Sequence, residues 1–121
     1  VVFATLISSS NPLSVSPAST TNYTVTGTTS TCTNTAVAIV TVNPLPTATI
    51  SGGGTYCAGQ PVSNVTVALT GTPNWTINYT LNGVAQSSTG ITTSPAVLGN
   101  SAGTYVLTSV TDGNSCTNSV S

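Results

Sequence analysis

The chain has 121 residues and a formal net charge of −1, with a single acid, Asp112, and no Lys, Arg, His or Glu. Typical domains are about a quarter charged, so ion pairs between side chains, a basic surface for nucleic acid or anionic lipid, and acid–base catalysis by His, Lys or paired carboxylates are excluded. The 26 Thr, 17 Ser, 11 Asn and 15 Val favour strands over helices, and a hydrophobic fraction of 38% opposes disorder.

At the start of the chain there is no charged n-region with an apolar stretch and a small-residue cleavage site, and no apolar run of about 18 residues follows anywhere. Neither a signal peptide nor membrane insertion is expected of this segment. "NYTVT" (22–26) and "TAVAIVTV" (35–42) read as strands, the second as the closing strand of its domain. Asn43, Pro44, Leu45 and Pro46 then form a short joint, extended and semi-rigid because each proline fixes its own φ and biases its predecessor away from helix.

After the joint, Gly52-Gly53-Gly54 reads as a loop, since no Lys follows in the spacing of a phosphate-binding loop. "NVTVAL" (64–69) alternates with Val65, Val67 and Leu69 inward. "WTINYTL" (75–81) does the same with Trp75, Ile77, Tyr79 and Leu81. It runs into Asn82-Gly83, the pair favoured in a type I′ hairpin turn because both central residues need φ > 0, and "VAQSST" is the return strand. "GTYVLTSV" (103–110) places Tyr105, Leu107 and Ser109 on one face and turns at Asp112-Gly113-Asn114. Trp75, Tyr79 and Tyr105 are expected in the core, and helix is expected to be almost absent. About seven short strands at this spacing make an all-β, Greek-key sandwich; the runner-up, a β-solenoid, would need a short rung period that the chain does not show.

The chain also repeats itself. Tyr23 lies 82 residues before Tyr105, and "TCTNT" (31–35) lies 84 before "SCTNS" (115–119). "NPLSV" (11–15) matches "SPAVL" (94–98) at similar spacing. A period of about 83 residues makes 1–42 the C-terminal half of one repeat and 45–121 most of the next, with its last strand incomplete and 43–46 as the joint. In an extracellular setting Cys57 and Cys116 would pair, constraining the unfolded chain by roughly 4 kcal/mol. Cys32, the counterpart of Cys116, would then have a partner outside the chain; the alternatives are a reactive thiol or an intersubunit bridge.

Little else in the inventory carries chemistry. Three scattered cysteines without histidine lack zinc-ligand spacing, and one carboxylate does not make a calcium site. Asp112 reads as a turn residue capping its own backbone. No catalytic residue, metal or cofactor is therefore assigned. The Thr-x-Thr triplets lack the constant short period of an ice-binding array and read as solvent-side strand positions. The sequons at Asn22, Asn64, Asn74 and Asn78 permit N-glycosylation only where the cell has that machinery, and the abundant Ser and Thr permit O-glycosylation at no identifiable site.

"NYTVTGTTSTCTNTAVAIVTVNPLPTA", "YCAGQPVSNVTVALTGTPNWTINYTLNG" and "YVLTSVTDGNSC" together resemble the tandem immunoglobulin-like or PKD-like repeats of very large Bacteroidota cell-surface adhesins. The "TVNPLP" joint and the "YxLTSVTDxxxC" ending carry most of the likeness. It implies Ig-like sandwiches in tandem, an extracellular or cell-surface location, export by the type IX system, and a role as spacer in a fibre or adhesin stalk. The implied partners are neighbouring repeats or identical subunits in a filament, and surface glycans. The chain departs from the antibody pattern: Tyr105 stands 11 residues before Cys116 instead of two. Two further functions stay open from the sequence. One is a pilus-like subunit polymerising by strand donation; the other is a carbohydrate-binding module of a secreted protein.

Overall fold

The computed structural model describes residues 2–5 and 12–120. Residues 1, 6–11 and 121 lie outside that description, and with them Asn11 of the "NPLSV" match. The chain forms two compact units, Val1–Asn43 and Pro44–Ser121.

In the first unit, β1 (Val2–Thr5) lies parallel to β2 (Thr21–Thr29), which pairs antiparallel with β3 (Cys32–Val40). The β2–β3 ladder runs unbroken from Thr21↔Val40 to Thr29↔Cys32 around the two-residue turn Ser30-Thr31. The Val42 N–H donates to Thr20 Oγ1 at 3.0 Å and carries the pairing past the ladder's end. Tyr23 and Thr21 are buried, whereas Val25, Val37 and Ile39 are exposed. β1 was not expected from the sequence, because four residues are too few to show a period.

The second unit holds seven strands: β4 (Ala48–Ser51), β5 (Val65–Leu69), β6 (Trp75–Leu81), β7 (Val84–Ile91), β8 (Ala96–Gly99), β9 (Tyr105–Thr111) and β10 (Thr117–Ser119). They form a three-stranded sheet, β4-β5-β8, and a four-stranded sheet, β10-β9-β6-β7, every pair antiparallel. This is the three-plus-four layout of an immunoglobulin-type sandwich. No helix occurs among the described residues. Ala48, Val67, Leu69 and Ala96 from one sheet meet Trp75, Ile77, Leu107 and Val110 from the other in a single core. Val67, Ile77 and Val110 are fully buried, each contributing about 1.5–3 kcal/mol by leaving water.

Strict alternation fails in β9. Asn78 pairs with Ser109 but Tyr79 pairs with Leu107, so Thr108 is an extra residue, a β-bulge. The bulge shifts the phase by one, turning Val110 into the core and leaving Ser109 on the other face, where it accepts a hydrogen bond from Asn78 Nδ2 at 3.0 Å. The sequence-based expectation of Ser109 on the core face is corrected accordingly. The Val120 N–H donates to the Thr108 carbonyl at 3.0 Å, so the bulged peptide is not left unpaired.

The strands give the second unit two poles. At the near pole, where the chain comes in, Thr47 N–H donates to Thr70 Oγ1, Gly113 N–H to the Thr72 carbonyl, and Asn118 Nδ2 to the Pro46 carbonyl. At the far pole lie the 52–64 loop, the Asn82-Gly83 turn and residues 100–104, the last two joined by hydrogen bonds from Asn82 N–H to the Thr104 carbonyl and from Thr104 N–H to Asn82 Oδ1, both 3.0 Å.

Candidate functional site

The one acidic side chain sits at the near pole and is consumed by the backbone. Asp112 Oδ1 accepts from the N–H groups of Asn114 and Cys116 at 3.0 Å each, and Oδ2 accepts from Thr72 N–H at 3.2 Å. Asn114 Nδ2 adds a bond to Thr72 Oγ1 at 2.7 Å. Burial alone would raise the carboxyl's pKa, but the donors from Thr72, Cys116 and Asn114 outweigh it and hold the group below its ordinary value. Gly71, at φ +101°, keeps this approach open: a Cβ there would stand 3.0 Å from Asp112 Oδ2. Asp112 therefore ties its own turn to the β5–β6 turn, 40 residues away. The local half of this cap is legible in "TDGNS". The distant half carries no sequence signal, because nothing in "GTPN" marks Thr72 as a donor to an acid.

The far pole has an open pocket of about 510 Å³, whose lining includes Tyr56, Cys57, Val65, Asn100, Ser101 and Tyr105. Its polar groups are hydroxyls, amides, main chain and the Cys57 thiol, and Tyr56 OH donates to the Gly53 carbonyl at 3.3 Å. A second recess, of about 320 Å³, runs along the sandwich flank between Ala48–Ile50 and Tyr105–Leu107, beside Val120. It is the groove that β10 would fill if it paired with β9 as far as β3 pairs with β2: β10 has three residues and β3 has nine.

Trp75, Tyr79 and Tyr105 fall as packing groups, whereas Tyr56 is exposed. Trp75 is 5% exposed, and its Nε1–H donates to the Thr70 carbonyl at 3.0 Å, so no face is left for a sugar. Tyr79 and Tyr105 are half-buried and stacked, ring centroids 6.0 Å apart. Asn82 and Gly83 close the β6–β7 hairpin with φ of 52° and 78°. Of the sequon asparagines, Asn64 and Asn74 are exposed, whereas Asn22 and Asn78 are half-buried. In the joint, Asn43, Pro44 and Leu45 are exposed, but Pro46 is fully buried and belongs to the second unit's near pole.

The cysteine pairing expected from the sequence is corrected. Cys57 and Cys116 are free thiols, and so is Cys32. Cys57 lies on the far-pole loop and Cys116 in the near-pole turn, with the seven residues of β9 running between the poles. A strand of that length spans about 20 Å, whereas a disulfide requires Cα atoms within about 7 Å. Spacing along the chain suggested a staple, but the fold puts its two halves at opposite ends. Cys32, at the first residue of β3, is exposed. Among the described residues no three His, Cys, Asp or Glu side chains gather as a metal site, and no helix is long and apolar enough to cross a membrane.

No curated protein and no solved structure matches the chain. A family model does, over residues 46–121, which takes in the whole sandwich from Pro46 through β10. The chain belongs to the family described as nucleoporin pom152-like, ninth immunoglobulin-like domain.

Proposed function

We propose that this chain is a structural segment of a tandem array of Ig-like sandwiches, serving as spacer in an extracellular fibre or cell-surface adhesin stalk of the Bacteroidota type exported by type IX secretion. The observation that carries this reading is the shared hairpin. β2–β3 in one unit and β9–β10 in the other bear the same Tyr and Cys landmarks; Cys116 lies at the end of its longer turn, where Cys32 already opens β3. Units 1–42 and 45–121 are then successive repeats on one chain, joined at 43–46. The function is additive: each sandwich extends the array, and contacts between neighbours stabilise it.

With Asp112 as its one charged side chain, the chain fits a life inside an assembly better than one as a dispersed monomer, which normally relies on charge for colloidal stability. The family name refers to a nucleoporin; what carries over to this chain is the Ig-like module as a building unit. Negative-stain microscopy of the native assembly tests the reading. A beaded fibre with a repeat of at least roughly 30 Å, the rise of a nine-residue strand, is expected, and isolated globular particles would rule it out. Antibody labelling of intact, unpermeabilised cells tests the location, with surface label expected.

A second reading, a pilus-like subunit polymerising by strand donation, draws on the exposed Val25, Val37 and Ile39 of the first unit and on the open groove beside β9. Reduced, denatured material separates it from the first: a discrete polypeptide of about the chain's 11.9 kDa favours donation between subunits, and a very large one favours the array.

A further inference from the structure

We infer that the far-pole pocket of the second unit is a binding site for a neutral carbohydrate, with Tyr56 as its stacking platform. The site lies within this one unit and needs no neighbouring repeat. At about 510 Å³ the pocket falls within the ~300–1,000 Å³ range of small-molecule sites. It sits among the loops at one end of a sandwich, a rigid scaffold of the kind that commonly presents binding groups on its loops.

One wall is the 52–64 segment, which has no strand of its own. Its ends are close together, since a Cβ on Gly52 would collide with the Asn64 carbonyl. The segment is thus a compact Ω-type loop, a form frequently put to functional use. Within it Tyr56 is fixed in two ways. Its hydroxyl donates to the Gly53 carbonyl at 3.3 Å, and its ring lies against Gly54, where a Cβ would stand 3.2 Å from the hydroxyl and 3.3 Å from two ring carbons. The residue is nonetheless 37% exposed and lines the pocket. A ring held in place at the surface adds little to the core, but it favours binding, because little rotamer freedom is lost when a ligand covers it. The other wall, 100–104, is braced by Asn82, whose Oδ1 accepts from Thr104 N–H at 3.0 Å and whose Nδ2 donates to the Ala102 carbonyl at 3.5 Å. Tyr105 follows that wall and is steadied by its stacking on Tyr79.

The lining selects the class of ligand. Asp112, the one charged side chain, is at the opposite pole, so a phosphate, carboxylate or ammonium group would give up hydration here with no countercharge. Ser63, Asn100 and Ser101 offer uncharged donors and acceptors, and Tyr56, Val65 and Tyr105 offer apolar surface. A wholly apolar ligand would cover the polar groups without pairing them. A pyranose matches both sets: its C–H face rests on an aromatic ring, and its rim of hydroxyls donates and accepts.

Titration of the isotope-labelled 121-residue chain with maltose, cellobiose, lactose and di-N-acetylchitobiose, followed by amide chemical shifts, tests this. A hexuronate disaccharide serves as the charged comparison. At least one neutral sugar should saturate with a Kd of about 1 mM or tighter, its shifts concentrated at 53–65 and 100–105. The hexuronate should bind at least about tenfold more weakly. Tyr56→Ala should weaken the neutral sugar about tenfold with the urea midpoint unchanged, whereas Tyr56→Phe, which keeps the ring, should weaken it less than about threefold. Val106→Ala, away from the pocket, should bind as the parent chain does. No saturation by any of the neutral sugars, shifts centred outside the far pole, equal binding of the hexuronate, or undiminished binding by Tyr56→Ala would each overturn the inference and leave the array reading standing.

Discussion

Single side chains in the second unit divide into those the core needs and those it does not. Ile77 is fully buried at the centre of the core, so Ile77→Ala should destabilise the unit by about 2–5 kcal/mol in urea denaturation. Val106, one residue from Leu107, is 49% exposed, and Val106→Ala should stay within about 0.5 kcal/mol. Asp112 is the only acidic side chain, so it should dominate the acid limb of the stability profile. Its carboxyl is held below the ordinary value in the folded state. The stability it contributes is therefore complete above the unfolded pKa of about 3.9 and is lost as pH falls through the lower, folded pKa. Melting temperature should be flat from pH 7 to about 5 and fall below about 4. Asp112→Asn should lower it at neutral pH and flatten the acid limb. An unchanged melting temperature in that variant would deny the carboxylate its role in tying the two turns.

At the scale of elements, the strands whose core residues alternate were legible from sequence, and the irregular ones were not. β5 and β6 show apolar residues at every second position because one face of each meets the opposite sheet, and Asn82-Gly83 announces the turn between β6 and β7. Replacing Gly83, at φ 78°, by Val should cost about 1–2 kcal/mol, measurable as a lower denaturation midpoint. The β9 bulge was hidden because a one-residue phase slip looks like continued alternation in "YVLTSV"; only the partner strand reveals that Thr108 is extra. β4 and β8 were hidden for another reason. Each has four residues and one buried side chain, Ala48 and Ala96, too little for a period to emerge. The cysteine pairing failed at this scale as well. Sequence separation says how large a loop a disulfide would close, but not which pole each cysteine occupies.

For the whole molecule, the proposed repeat rests on a hairpin with Tyr and Cys landmarks that occurs in each unit, Tyr23 and Cys32 in one and Tyr105 and Cys116 in the other. What the sequence could not show is that the second unit leaves a groove beside β9, between Ala48–Ile50 and Tyr105–Leu107. A strand ending in that groove would cover Ile50 and Leu107 and complete the sandwich. The central claim, that this chain is one stretch of a long tandem array, is tested most directly by the mass of the reduced, denatured native polypeptide that contains it. The account predicts a very large chain whose sequence continues in copies of about 83 residues; a discrete polypeptide of about 11.9 kDa would contradict it.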